Sequence, residues 1–150
     1  MDNIKKELHS LCVSFVQSRI DEATYAINAT QQAANEETKS SAGDKYETGR
    51  AMMQQETDRN QAQLNEAKKL MIALNQISSN TVFKTGETGS LVITNNGKFY
   101  IAISAGTLTL KGESYFAVSP ASPIGLRLKG LKADDEFTLN GKQYQVAEVF

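Results

Sequence analysis

The sequence is poor in the residues that build metal centres and disulfide frameworks. Its 150 residues include one cysteine, one histidine, two prolines and no tryptophan. A single cysteine excludes an internal disulfide, and one histidine with one cysteine falls short of the ligand sets that hold zinc. We therefore expect Cys12 to be a small buried apolar side chain and His9 to lie on a helix surface.

Long apolar runs and an excess of positive charge are also lacking. No apolar run approaches the roughly 20 residues of a membrane span, and the opening segment MDNIKKELHS is not typical of a secretory signal. The formal net charge is −1 and the isoelectric point is about 5.9, which disfavours binding to a nucleic-acid duplex through a basic face. We expect a cytoplasmic protein with neither a membrane nor a specific DNA sequence as its partner.

The first half of the chain favours helix. No proline occurs between Ile4 and Ile77, and alanine, glutamine, glutamate and lysine dominate. Apolar residues recur at helical spacing. The pattern predicts two long helices, roughly 2–38 and 45–77, folded back on each other as an antiparallel hairpin.

Large apolar residues are unevenly placed along this hairpin. They gather at 4–15 and 64–77, which lie side by side at the base of an antiparallel pair. The predicted hairpin domain covers 1–79, with its tip at 39–49. A well-packed base with a thin tip suits a rod that reaches into another molecule.

After residue 80 the apolar period changes to two, which is typical of strands. Asn96-Gly97 and Asn140-Gly141 mark two hairpin turns. Pro123 fits the first turn of a short helix at 124–129. The fold class is therefore α+β, with the hairpin followed by a small antiparallel sheet and one short helix in a domain at 80–150. The predicted strands are 91–93, 99–103, 115–118, 136–139 and 144–149.

Two carboxylates stand at the predicted tip, in the segment SSAGDKYETG. Asp44 and Glu47 have the spacing of a helix-capping pair, in which an N-cap side chain and an acid three residues later accept backbone hydrogen bonds. The same two residues, at the far end of a thin rod, are also candidates for a working site. The spacing alone leaves both interpretations open.

The segment SPASPIGLRLKGLKADDEF at 119–137, with the closing strand YQVAEV, resembles the C-terminal domain of the Gre transcript cleavage factors. That domain has a fold similar to the FK506-binding proteins. The resemblance extends upstream to Gly43-Asp44-Lys45-Tyr46-Glu47, which matches the Gly-Asp-x-x-Glu element at the tip of the Gre coiled coil. Order, spacing and length agree over nearly the whole chain.

This resemblance implies a monomeric bacterial factor that binds RNA polymerase and inserts its coiled coil into the secondary channel. Asp44 and Glu47 would help to hold a catalytic Mg²⁺ of the polymerase, whose own endonuclease trims backtracked RNA. The chain would then be no enzyme by itself and would have no intrinsic cofactor or tight metal site. Two carboxylates suit this role because Mg²⁺ is usually held by one or two of them together with phosphates and waters.

The resemblance also implies positions that contact the partners. Ser122, Pro123 and Ile124 correspond to the loop and helix that face the polymerase. Arg50 and Arg59 are candidates for contact with the 3′ end of the nascent RNA. Acids interleave with the basic residues of this helix, so a solvated, ion-paired face is the alternative for the two arginines.

Departures from the Gre pattern keep other functions open. The family continues Asn-Ala-Glu-Tyr after the glutamate, whereas this chain continues Thr48-Gly49-Arg50-Ala51. One alternative is a secondary-channel modulator that does not stimulate cleavage. Another is a coiled-coil adaptor without polymerase binding. A prolyl isomerase is a third, although that pocket is normally lined by aromatics that include a tryptophan, which this chain lacks.

Overall fold

The structure is a computed structural model that describes the backbone over residues 2–40 and 44–150, and side chains over 3–36 and 49–150. Two long helices, α1 (Asp2–Ser40) and α2 (Asp44–Asn75), precede six strands and one short helix. These are β1 (Leu91–Thr94), β2 (Gly97–Ile101), β3 (Gly106–Leu110), β4 (Glu113–Val118), α3 (Pro123–Leu128), β5 (Glu136–Leu139) and β6 (Lys142–Val149).

Both long helices lie close to their predicted bounds, and α1 packs on α2. The α+β class is therefore confirmed as a helical hairpin together with a sheet. Proline-free sequence rich in strong helix formers accounts for their length.

The residues group into two compact units. The first, here called the sheet unit, combines Met1–Phe15 with Ile72–Phe150. The second, the helical unit, is Val16–Met71. The predicted domain boundary between residues 79 and 80 remains a prediction. The first turns of α1 thus share a unit with the sheet, although they are distant from it in sequence.

The sheet is mixed, which corrects the expectation of a purely antiparallel one. The strand order is β3-β4-β2-β1-β6-β5, and β2 pairs with β4 in parallel. The sequence pattern missed β3, which is an edge strand of the sheet. A tight turn joins β3 to its antiparallel neighbour β4. Because that extra strand reverses the chain once more, β4 lies alongside β2 in the same direction.

Two-residue turns close three hairpins, at Asn95-Asn96, Lys111-Gly112 and Asn140-Gly141. Asn140 and Gly141 join β5 to β6 with φ of 52° and 79°. Lys111 and Gly112 join β3 to β4 with φ of 53° and 79°. Positive φ at both central residues is the turn that matches strand twist, and asparagine and glycine adopt it most readily. Lysine in this conformation explains why the second turn gave no signal in the sequence.

One face of the sheet packs against α3 around a single hydrophobic cluster. Leu128, on α3, is fully buried together with strand residues, and Ile124 is half-buried against the same cluster. Phe137 and Tyr144 stack with ring centroids 4.8 Å apart, which adds a favourable aromatic pair. The buried members are Val92, Phe99, Ile101, Leu128, Phe137 and Val146.

The first turns of α1 supply further buried residues to the sheet unit. Leu8 and Cys12 are 0% exposed, so Cys12 is buried as predicted. Lys5 is only 3% exposed, which the sequence did not indicate. Its ammonium donates a hydrogen bond to the Thr81 carbonyl and lies 4.8 Å from the centroid of the Phe83 ring. A buried charge needs such partners, because desolvation alone is costly.

The described residues of the helical unit include few buried apolar side chains. These are Val16, Ala23, Leu64 and Ala67. Asn60 is also buried, and its Nδ2 has no hydrogen-bond partner among the residues whose side chains are described. A buried asparagine between paired helices costs stability and restricts their register.

Gly125 allows α3 to approach the preceding turn. A Cβ built at this position would lie 2.1 Å from the Ser119 carbonyl oxygen and 2.9 Å from Ser122 Oγ. We therefore expect Gly125→Ala to lower the free energy of unfolding by about 1–3 kcal/mol through overpacking, although alanine favours helix. Urea denaturation followed by circular dichroism measures this change.

Leu126→Ala is the matched control, because Leu126 lies on the same helix and is 61% exposed. It should change stability by no more than about 0.5 kcal/mol. Equal stability of Gly125→Ala and the wild type would contradict the close approach.

Candidate functional site

The predicted tip coincides with the start of α2. Asp44 is the first residue of the helix and Glu47 lies in its first turn. Acids there are favoured by the positive end of the helix dipole. The side chains of both residues lie outside the described residues, as do 41–43 of the connection between the helices. The capping role and the functional role therefore both remain predictions.

The two candidate RNA-contacting arginines are exposed. Arg59 Nη2 lies 3.9 Å from Glu56 Oε1, one helical turn away, with the Arg59 side chain 67% exposed. Lys69 and Glu66 form a similar pair at 3.3 Å. Exposed pairs of this kind contribute little to stability and leave the charged groups in contact with solvent. Arg50 has an interaction partner of its own.

Ser122 builds the start of α3. Its Oγ accepts a hydrogen bond from the Gly125 amide at 3.0 Å and donates one to the Ser119 carbonyl at 2.6 Å. Pro123 follows at the first helical position, where its missing N–H costs nothing. The hydroxyl of Ser122 is thus engaged within the chain, which makes it a structural support for the predicted docking residues beside it.

The leucine and isoleucine side chains of α3 divide between core and solvent, a division that the sequence did not resolve. Leu128 is fully buried, and Ile124 is half-buried against the hydrophobic cluster. Leu126 points away from them and is 61% exposed. Pro123 is exposed as well. Of the three predicted docking residues, Pro123 is therefore the most accessible, and Leu126 is an additional apolar group that the prediction omitted.

A cavity of about 360 Å³ adjoins the predicted docking residues within the sheet unit. Its apolar lining includes Ile101, Pro120 and Leu126, and Glu87 and Lys129 supply opposite charges. An opening of this composition fits an apolar side chain whose neighbours are polar. The sequence did not indicate that Glu87 and Lys129 line this cavity. Glu87 lies far from α3 in the chain, and Lys129 is the C-cap residue of α3.

The remaining reactive groups are held in structural roles. Burial raises the pKa of the Cys12 thiol to about 11, so the thiol stays protonated and unreactive at neutral pH. His9 is half-buried rather than on the surface, because its Nε2 lies 2.9 Å from the Leu74 carbonyl oxygen. Tyr100 is fully buried, its hydroxyl lacks a hydrogen-bond partner among the described side chains, and burial raises its pKa.

A charged cluster joins β2 to β4. Lys98 Nζ lies 2.7 Å from Glu113 Oε2, and the Tyr115 hydroxyl donates to the same oxygen at 3.1 Å. The hydrogen bond from Lys98, followed by that from Tyr115, holds the pKa of Glu113 below its usual range. The bond to Glu113 in turn raises the pKa of Lys98. The cluster thus links the two strands of the parallel pair.

The part of the chain that the structure describes contains neither a metal-binding cluster nor a membrane-spanning helix. Over those residues, no group of three or more histidine, cysteine, aspartate or glutamate side chains is placed to hold a metal ion. Over the same residues, no helix combines the length and apolar character needed to cross a bilayer.

Comparison with known proteins finds no matching protein-family model and no matching curated protein. The Gre resemblance therefore depends on the motifs quoted above.

The lowered pKa of Glu113 gives a pH-dependent prediction. Its ionised form is favoured in the folded state, so its contribution to stability is present above its unfolded pKa and is lost as the pH falls through its folded pKa. We expect the Glu113 carboxyl to titrate at higher pH in Lys98→Met than in the wild type. Carboxyl-carbon chemical shifts in NMR titrations measure both midpoints, and unchanged midpoints would contradict the assigned cause.

Proposed function

We propose that this chain is a Gre-type elongation factor that binds RNA polymerase and stimulates cleavage of backtracked RNA by the polymerase. The observation that carries the proposal is the helical hairpin in which α2 begins at Asp44 and includes Glu47 in its first turn. A sheet domain with a short helix follows, in the order that the resemblance requires. An FK506-binding-protein-like fold for that domain is part of the same proposal.

The two tip residues act by supplying carboxylate oxygens in trans. Asp44 and Glu47 are three residues apart at the start of one helix, and residues at this spacing are neighbours on a helix surface. In the complex, the polymerase's Mg²⁺ supplies the activation of water and the stabilisation of the leaving oxygen. Two carboxylates are too few ligands for tight Mg²⁺ binding by the isolated chain, which consequently has no nuclease activity of its own.

Docking uses the surface around the start of α3. Pro123 and Leu126 are exposed there, and the adjacent cavity offers an apolar floor between Glu87 and Lys129. Ile124 is half-buried, so it supports this surface and contributes part of its area. Ser122 holds the start of the helix in place. Contacts of this kind fix a partner through a few apolar anchors with a polar rim.

Arg50 and Arg59 have a secondary role in this proposal. Both are exposed on α2, and weak surface pairing leaves the Arg59 guanidinium available for a phosphate. They support contact with the nascent RNA near its 3′ end.

A second function from the same binding mode is a channel modulator without cleavage. The observation that favours it is Arg50, which follows Glu47 by three residues in α2 and adds a positively charged residue near the start of that helix. An adaptor that does not bind polymerase remains the alternative from another class.

A double substitution of Asp44 and Glu47 distinguishes metal assistance from helix capping. We expect Asp44→Asn/Glu47→Gln to slow RNA shortening in a backtracked elongation complex by about 100-fold or more, because oxygen ligands of the metal are lost. Asparagine still caps a helix, so the variant retains the helix start. The readouts are RNA length on a gel over time and polymerase affinity, and the affinity should stay near the wild-type value.

Asp58→Asn/Glu66→Gln is the matched control. It removes the same charge from two exposed positions of the same helix and should cleave at the wild-type rate. A tip variant that cleaves normally, while Asp44→Ala/Glu47→Ala does not, would assign the pair to capping. Binding without cleavage by the wild type would favour the channel modulator.

The docking prediction concerns the exposed leucine of α3. We expect Leu126→Asp to weaken polymerase binding by about tenfold or more, since an apolar anchor is replaced by a charge beside Glu87. Fluorescence anisotropy of labelled protein titrated with core polymerase measures the affinity.

Val82→Asp is the corresponding control, because Val82 belongs to the sheet unit, is 65% exposed and does not line the cavity. It should bind as the wild type does. Equal loss in both variants would show that added negative charge, and not the α3 surface, governs the affinity.

A further inference from the structure

The strand β3 leaves a row of backbone groups without a neighbouring strand. Among the strands that the structure describes, it lies at one end of the sheet and pairs with β4 alone. The two-residue turn makes Leu110 and Glu113 a hydrogen-bonded pair, so Leu108 and Gly106 also direct their backbone groups toward β4. The backbone N–H and C=O groups of Thr107 and Thr109 therefore point outward, and both residues are exposed.

The opposite edge of the sheet is partly covered by a side chain and carries a charge. There, β5 pairs with β6 through the same kind of turn, so the backbone of Thr138 points outward. Its carbonyl accepts a hydrogen bond from Arg127 Nη2 at 3.0 Å, and β5 begins with a charged residue, Glu136. A covering side chain and a charge are common means of protecting an edge. The strand β3, with the sequence Gly-Thr-Leu-Thr-Leu, has neither a charge nor a proline.

The outer edge of β3 is complementary to itself. An antiparallel copy related by a two-fold axis at Leu108 would pair Thr107 of one chain with Thr109 of the other, and the converse. Cross-strand threonine pairs are favourable, and no like charges face each other along the strand. Lys111, just beyond the strand, would lie opposite Ala105 of the copy and not opposite a second lysine.

Phe116 adds a partly exposed apolar group beside this edge. It lies on β4 directly opposite Thr107 of β3, stacks on Phe99 at 5.5 Å between ring centroids and is 38% exposed. A strand added outside β3 would bring a threonine methyl group next to Thr107 on the same face. The added strand would therefore reduce the exposed apolar area around Phe116 as well as pair backbone groups.

We propose that the edge strand β3 is a self-association site, at which a second copy of this chain pairs antiparallel through Thr107 and Thr109. A five-residue edge buries far less than the roughly 1,600 Å² of a stable complex, so the pairing is weak and depends on concentration. The monomer expected from the sequence is then the form that exists at low protein concentration. The site uses the sheet unit alone and does not depend on the proposed polymerase binding.

The test compares the full-length wild type with Thr109→Pro by sedimentation equilibrium from about 10 µM to about 1 mM. The wild-type mass should rise from 16.4 kDa toward twice that value. Thr109→Pro removes an outward N–H that β4 does not use, so it should stay monomeric with its circular dichroism spectrum unchanged.

Thr138→Pro likewise removes an outward N–H, but from β5 at the opposite edge of the sheet. This variant should associate as the wild type does. A second measurement on the wild type, amide hydrogen exchange at both ends of the concentration range, should show slower exchange at Thr107 and Thr109 only at high concentration. A constant monomer mass would overturn the proposal. So would equal loss of association in both proline variants, or exchange at these two amides that does not change with concentration.

Discussion

The buried ammonium of Lys5 is the constraint on which much of the structure depends. A lysine that is 3% exposed is tolerated only with partners, and it has them in the Thr81 carbonyl and the Phe83 ring. Those partners lie between α2 and β1, so the contact fixes the start of α1 against the segment that leads into the sheet. Leu8 and Cys12 then follow at one-turn intervals on the buried face of the helix.

Once the base is fixed, the two candidate surfaces have different physical characters. The surface around α3 is built on a capped helix over a packed cluster, with Gly125 against Ser119 and Leu128 fully buried. Its exposed groups are therefore held by rigid supports. The first turn of α2 carries Asp44 and Glu47, in a helical unit whose described residues include few buried apolar side chains. A rigid surface at α3 and a polar start of α2 are compatible with the proposed factor, in which one part binds and another reaches the reaction.

The sequence predicted those features whose causes are local. Helix formers without proline predicted α1 and α2, and Asn140-Gly141 predicted the turn between β5 and β6. It missed β3 because Lys111 occupies a left-handed conformation that usually belongs to asparagine or glycine, and the parallel pairing was missed with it. For the candidate site, the short helix that begins near Pro123 was predicted, whereas the exposure of Leu126 was not, since side-chain direction within a six-residue helix depends on how that helix packs.

The first helix belongs to both compact units, with Met1–Phe15 in one and Val16 onward in the other. During synthesis its first turns leave the ribosome early, while their partners at Thr81 and Tyr100 follow tens of residues later. Local helix formation in α1 can precede all other structure, but burial of Leu8 and Cys12 must wait for the sheet. The nascent chain therefore exposes the apolar side chains of Leu8 and Cys12 until the segments that bury them have been made.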